Sequence, residues 1–331
     1  MQLRALPCIS LPIHNESLKT MRLDDFDPNI NVEDQGRGGG SGFGGGGGGG
    51  GLLFGLLPLI GSRFGCGGIV VVLILMAVFG GLGNIGGMLG GGSAPSAPSG
   101  QIAQRAPGQT DGQTDAQTVC SVNAERRAAC NAFSSAQKTW AAIFAKNGEQ
   151  FTAPKLSFFD GNGRSGCGAA QSAMGPFYCP TDNGIFLDTS FFDELATRFG
   201  ARGDFAQDYV IAHEFGHHIQ NLVGTSGQVS RAQRSAGETE GNALSVRLEL
   251  QADCFAGVWA AANRDRLEPG DIEEGMTAAQ AIGDDTLQKQ AQGRVVPDSF
   301  THGSSAQRQT WLRRGLESGD PAVCDTFSGT I

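Results

Sequence analysis

Basic charge is in short supply. The 331 residues hold 24 Lys and Arg against 33 Asp and Glu, a net charge of −9, and no run of basic residues interrupts that balance. With a pI near 5.0, the chain lacks the electrostatic footprint of a nucleic-acid-binding surface. No internal repeat is present. Histidine is scarce too, five in all, so any cluster of them stands out. The first third lacks a packable composition, because a large share of the 52 glycines falls before residue 100. From about residue 118 the composition becomes ordinary, and the remaining ~210 residues suffice for one domain with a sizeable core.

Residues 1–63 read as a disordered polar and Gly-rich segment. Residues 1–20 differ in character from MRLDDFDPNINVEDQ, which begins at Met21 and predicts that translation starts there. Gly36 to Gly51 contains eight consecutive glycines, the composition of a flexible tether. An uncharged stretch between Arg63 and Arg105 follows, with IVVVLILMAVF (Ile69 to Phe79) at its centre. Extended from Phe64 to Leu82 it supplies about the twenty residues a membrane helix needs, so residues 64–89 predict a single transmembrane anchor. A cleavable signal peptide is the rival, since Ser93 to Ala97 offers small residues; the long polar leader and the prolines count against cleavage. Arg22, Arg37 and Arg63 precede the span and Arg105 lies far beyond it, so the positive-inside rule puts the N-terminus in the cytoplasm. The expected location is therefore the cell (inner) membrane, single-pass, with the domain that follows the span extracytoplasmic. Gly83 and Gly87 offer a small-xxx-small spacing for helix association. Residues 90–118 read as a Gly/Ser/Pro linker and 119–331 as the folded domain.

Six of the eight cysteines lie beyond the apolar stretch, an even number that suits disulfides in an oxidising compartment. Neighbour pairing gives Cys120–Cys130, Cys167–Cys179 and Cys254–Cys324, with free buried thiols as the alternative. The first pair requires Cys120 to leave the helix of Cys130, because ten helical residues would separate them by about 15 Å.

In the domain, Ala129, Phe133, Trp140 and Phe144 form a helical stripe ending at Gly148. Pro154 to Phe159 and Gly184 to Asp188 predict short strands, with Gly161 to Gly168 a loop between them. Helices are expected at Ser190 to Arg198, at Asn242 to Asn263 (stripe Leu244, Leu248, Ala252, Phe255, Trp259), after a capping pair Asp271/Glu274, and from Ser305 to Glu317. Thr225 to Glu240 is polar and predicts a loop beside the site. The sum is an α+β class, predominantly helical with a small sheet.

The chain is organised around DYVIAHEFGHHIQ, Asp208 to Gln220. Ile211, Phe215, Ile219 and Leu222 give it a buried helical stripe, Asp204 with Gln207 reads as a capping box, and Gly224 as a stop. His213 and His217, four apart on one face, converge on a single metal ion, and Glu214 is placed to work on a bound water. A catalytic zinc site takes three protein ligands and an open position. Glu249, again four residues from Asp253 and on an otherwise apolar helix, is the third ligand, while Asp253 accepts a hydrogen bond from a ligand histidine. Zinc would acidify its water, Glu214 would take the proton and pass it to the leaving amine, and His302 is the candidate donor to the oxyanion. Tyr178 is a weaker candidate for that donor, and His218, about 100° round the helix from His217, is expected to be structural. Gly184 to Asp188 is an expected edge strand for an extended substrate.

H-E-x-x-H followed by E-x-x-A-D resembles the gluzincin metallopeptidases, whose third ligand is that Glu. More closely, the chain resembles the bacterial putative neutral zinc metallopeptidase family, through NVEDQ near Met21, GPFYCPTDNGIFLD (Gly175 to Asp188), HEFGHHIQ, ELQADCFAG (Glu249 to Gly257) and GRVVPDSFTHGSSAQR (Gly293 to Arg308). The resemblance implies a zincin-like fold, one N-terminal anchor and peptidase activity with one Zn2+ per chain. The expected partners are a peptide or protein substrate and, through one helix, a membrane. Two other functions compete: a catalytically inactive zinc-binding interaction domain at the cell envelope, which would have no use for Glu214, and a deformylase-like amidase with Cys179 as a ligand.

Overall fold

A computed structural model describes residues 21–37 and 115–331. The expected span at 64–89, most of the glycine tether, most of the linker and residues 1–20 lie outside the described residues. Among the described residues no helix is long and apolar enough to cross a membrane.

Strand β1 (Val32–Arg37) is followed by helices α1 (Ala116–Cys120) and α2 (Ala124–Lys146), then strands β2 (Lys155–Asp160), β3 (Asn162–Ser165), β4 (Gly168–Gln171), β5 (Phe177–Cys179) and β6 (Gly184–Leu187). Helices α3 (Ser190–Thr197), α4 (Asp204–Leu222), α5 (Thr225–Gln233), α6 (Glu238–Ala262), α7 (Asp271–Ala281), α8 (Asp284–Gln292) and α9 (Ser305–Ser318) complete the chain. The main sheet has the order β1-β2-β6-β5. Its first three strands are parallel and β5 is antiparallel to β6. The described part is thus predominantly helical with a small sheet.

The sheet corrects two expectations. β6 is an inner strand, paired on both sides, so it has no free edge to offer a substrate. All four of its residues are buried, as suits a strand covered on both faces. Residues 21–37 are not a disordered leader either. Met21, Ile30 and Val32 are buried in the core, and Asp34 holds Arg126 of α2 at 2.6 Å. Because β1 pairs with β2 in one sheet, both strands occupy the same side of any membrane.

Helix α6 is the axis of the helical layer, with every residue from Leu250 to Ala260 buried. Its neighbours approach so closely that glycine is required at the crossings. A Cβ on Gly315 of α9 would meet the Cys254 carbonyl at 1.9 Å, and one on Gly216 of α4 would meet that of Ala252 at 2.9 Å. Three disulfides join neighbours in sequence: Cys120–Cys130, Cys167–Cys179 and Cys254–Cys324, with Cα separations of 6.0, 5.8 and 5.5 Å. Cys120 sits in α1, separated from α2 by a turn that Asn123 caps.

Other local expectations change for identifiable reasons. Gly161 to Gly168 is not a plain loop but opens the β3–β4 hairpin. That hairpin is largely exposed and therefore carries no apolar alternation. Thr225 to Glu240 is mostly helix, since α5 begins directly after Gly224 (φ 82°), the glycine that ends α4. No capping box forms at Asp204: the cap position is Gly203, and the Phe205 amide donates instead to Glu274 of α7 at 3.2 Å. Asp271 likewise caps nothing within α7 and accepts the Glu268 amide at 2.7 Å. Helices α1 and α8 were not foreseen.

Candidate metal centre

Most of the apolar stripe of α4 is buried as expected: Ile211 and Phe215 are fully covered and Ile219 nearly so, while Leu222 at the helix end is only partly buried. Burying that stripe turns the adjacent face, with His213 and His217, towards α6, and Gly216 between them lets α6 approach. The two rings lie 4.8 Å apart, edge to face. From α6, the Glu249 carboxylate stands 3.2 Å from His213 Nε2 and 3.5 Å from His217 Nε2. Ligands about 2.0–2.1 Å from a tetrahedral zinc lie about 3.3–3.4 Å apart, so these three donors have the spacing such an ion needs. All three fall within 4.8 Å of one another.

The remaining ring nitrogens are turned away and engaged. His213 Nδ1 donates to Asp253 at 2.8 Å, and His217 Nδ1 donates to Gln220 Oε1 at 2.9 Å. This fixes the tautomer that leaves each Nε2 lone pair aimed at the centre. Asp253 is fully buried. Its carboxylate takes Arg308 at 2.8 and 2.9 Å and the Tyr209 hydroxyl at 2.6 Å. Burial alone would raise its pKa, but the charges of Arg308 and His213 outweigh that and hold it at about 2. Gln220 is fixed in turn, donating to the Leu248 carbonyl at 2.7 Å and to Gln251 at 3.2 Å. In the metal-free protein burial disfavours a charged His217, yet the Glu249 carboxylate beside it lifts its pKa to about 9.

Glu214 lies beside this centre, 7 % exposed. Burial raises its pKa, the two ligand histidines partly offset that, and no hydrogen bond contributes. A carboxylate in that state is suited to accept a proton. His302 occupies the loop before α9. Asp284 anchors that loop by accepting the Thr301, His302 and Gly303 amides at 2.7, 2.6 and 3.1 Å, and it faces His302 Nδ1 at 3.2 Å. Gly303 rests on Val246 and Leu250 of α6, which brings the ring near enough for its charge to act on Glu249. The ring is one-third exposed, and its Nε2 has no hydrogen-bond partner among the described residues.

Two expected onlookers are tied up elsewhere. His218 donates from Nε2 to the Thr152 carbonyl at 2.7 Å and accepts at Nδ1 from the Tyr178 hydroxyl at 3.1 Å. Burial holds the His218 pKa down at about 4 and pushes that of Tyr178 up to about 12. His218 is therefore structural, and Tyr178 is committed to this network and to Asn221. Cys179 is in a disulfide, which removes the deformylase-like alternative.

Sequence reasoning missed Tyr209, Gln220 and Arg308. The first two carried a usable signal, standing four residues before His213 and three after His217 on the same helix face. Arg308, 99 residues from Tyr209, carried none locally.

Comparison with known proteins places this site in a family. The family model described as "Putative neutral zinc metallopeptidase" matches residues 21–327. The chain is 56% identical over 197 residues to the Escherichia coli K12 "Uncharacterized protein YpfJ", covering 59% of this chain and 69% of that one. It is 48% identical over 191 residues to the Mycobacterium tuberculosis "Uncharacterized protein Rv2575", covering 54% and 64% respectively. No solved structure matches.

Proposed function

Because the chain belongs to the putative neutral zinc metallopeptidase family, we propose that it hydrolyses peptide bonds in a peptide or protein substrate, with His213, His217 and Glu249 holding one zinc ion per chain. The observation that carries this is the convergence of those three donors next to a buried carboxylate, Glu214, that makes no hydrogen bond among the described residues. A zinc ion held there supplies a Lewis acid and lowers the pKa of a bound water towards about 7. Glu214 removes the proton from the attacking water and delivers it to the leaving nitrogen, a task its raised proton affinity favours. His302, whose pKa Asp284 and Glu249 raise against burial, is read as an imidazolium that holds Asp284 through Nδ1 and presents Nε2–H as the donor to the developing oxyanion. Asp253, braced by Arg308 and Tyr209, keeps the His213 ring in register.

The alternative, an inert zinc-binding interaction domain, is disfavoured by Glu214. Burying a carboxylate without hydrogen bonds is costly, and a closed structural site has no use for one. The three disulfides support an oxidising, extracytoplasmic location. The apolar residues 64–89 remain our candidate membrane attachment.

The test is to measure zinc per chain and cleavage of a mixed peptide library, with the Glu214→Gln variant in parallel. One zinc in both proteins, with cleavage reduced at least 100-fold in the variant, is the expected result. Equal cleavage by both proteins would overturn the role of Glu214, and one zinc without any cleavage would favour the binding domain.

A further inference from the structure

A second cluster of oxygen donors lies at the other end of α4, away from the histidines. Asp204 from α4 and Asp271 and Glu274 from α7 bring carboxylate oxygens within 4.8 Å of one another. Two helix starts explain part of this, since carboxylates in a first turn are favoured by the helix dipole and by free amides. Asp204 is paired with the backbone of Met21 and Phe205, Glu274 with the Phe205 amide and Asp271 with that of Glu268. Gly203, at φ 114°, opens the space Glu274 occupies.

Asp208 is not explained in that way. It lies one turn beyond Asp204 on the same face, past the reach of the helix dipole. It is 4 % exposed and makes no hydrogen bond among the described residues. The charges acting on it are those of Asp204, Asp271 and Glu274, and with burial they push its pKa well up. Glu274 is pushed up to about 7, first by burial and then by Asp204. Elsewhere the chain balances such groups: Asp25, Asp34 and Asp253 each face an arginine. Here, among the described residues, no ion pair balances any of the four.

We propose that Asp204, Asp208, Asp271 and Glu274 form a calcium site, distinct from the zinc centre, that ties the start of α4 to α7. Three carboxylates whose oxygens lie within 4.8 Å of one another, with the buried, unpartnered Asp208 one helical turn from Asp204 on the same face, match the oxygen-rich shell of six to eight donors that Ca2+ takes. Mg2+ keeps most of its waters and uses one or two carboxylates. Bound there, the ion would brace the helix that carries the zinc histidines.

The experiment uses the full chain, saturated with zinc and dialysed free of calcium, with Ca2+ itself as the probe. Calorimetric titration should give one Ca2+ per chain beyond the zinc. Calcium at about 100 times its Kd should raise the melting temperature by about 5–10 °C. Asp208→Asn should abolish that rise while melting no lower than the parent in calcium-free buffer, since it removes an unbalanced buried charge. Glu274→Gln, which keeps an oxygen for the Phe205 amide, should weaken calcium binding at least tenfold and serves if the first variant fails to fold. No heat and no shift at millimolar Ca2+ would overturn the proposal, and the carboxylates would then be held by the helix ends alone. An undiminished calcium response in both variants, or an equal response to Mg2+, would also overturn it.

Discussion

Replacing Arg308 with methionine would test how the zinc site is braced. Arg308 is 2 % exposed and Asp253 fully buried, and two hydrogen bonds of 2.8 and 2.9 Å join them. Methionine fills much of the same volume but leaves Asp253 with only Tyr209 and His213. Removing one partner of a buried ion pair strands the other charge, at about 3–5 kcal/mol. In a domain of this size 1 kcal/mol moves the melting temperature by about 2–4 °C, so Arg308→Met should melt about 6–20 °C lower. A second effect is separable. Asp253 orients His213, and loosening such a group lowers metal affinity about 10–100-fold. Thermal unfolding with and without zinc reads the first effect, and competition against a chelator of known affinity reads the second. Adding Asp253→Asn to Arg308→Met should recover part of the stability, because no charge is then stranded, but not the zinc affinity. A single variant that melts within about 2 °C of the parent and binds zinc as tightly would refute this account of the brace.

Two further outcomes follow from the site. The His217 pKa in the metal-free protein is raised to about 9, where burial opposes and Glu249 outweighs it. A raised folded pKa contributes stability that is complete below the unfolded value near 6.5 and lost as pH rises through about 9. The metal-free protein should therefore lose up to about 3 kcal/mol between these pH values, whereas zinc affinity should rise over the same window because the metal requires the unprotonated ring. Melting curves at both pH values with and without zinc check this, and greater stability at pH 9 without metal would contradict it. His302→Ala should keep the zinc and lower kcat about 100- to 1000-fold with little change in KM. A change confined to KM would make His302 a binding residue instead.

How much of this was legible beforehand depended on whether the signal was local. The H-E-x-x-H helix, the buried stripe of α2 and Gly224 rest on spacing within a few turns, and the structure places each as expected. Glu249 was legible because a carboxylate on an otherwise apolar helix is rare enough to attract notice. Features fixed by distant parts of the chain were not. β1 is short and polar, and only its pairing with β2 makes it a strand. β6 read as an edge because a short apolar run says nothing of the number of its neighbours. Asp204 read as a cap because its sequence suits one, but Glu274 of α7 occupies the position first. Arg308 carries the most charge stabilisation around Asp253; it closes the GRVVPDSFTHGSSAQR motif, but its role was not legible there, since its partner lies 55 residues away.

The central claim is that His213, His217 and Glu249 together hold one zinc. X-ray absorption at the zinc edge, on the full chain and on Glu249→Ala, tests it most directly. The account predicts one zinc with two imidazole nitrogens at about 2.0–2.1 Å and oxygen donors at about 2.0–2.2 Å. In the variant both imidazoles should remain, with one protein oxygen exchanged for solvent and weaker binding. A sulfur shell, a single imidazole, or a spectrum and affinity unchanged by Glu249→Ala would contradict it.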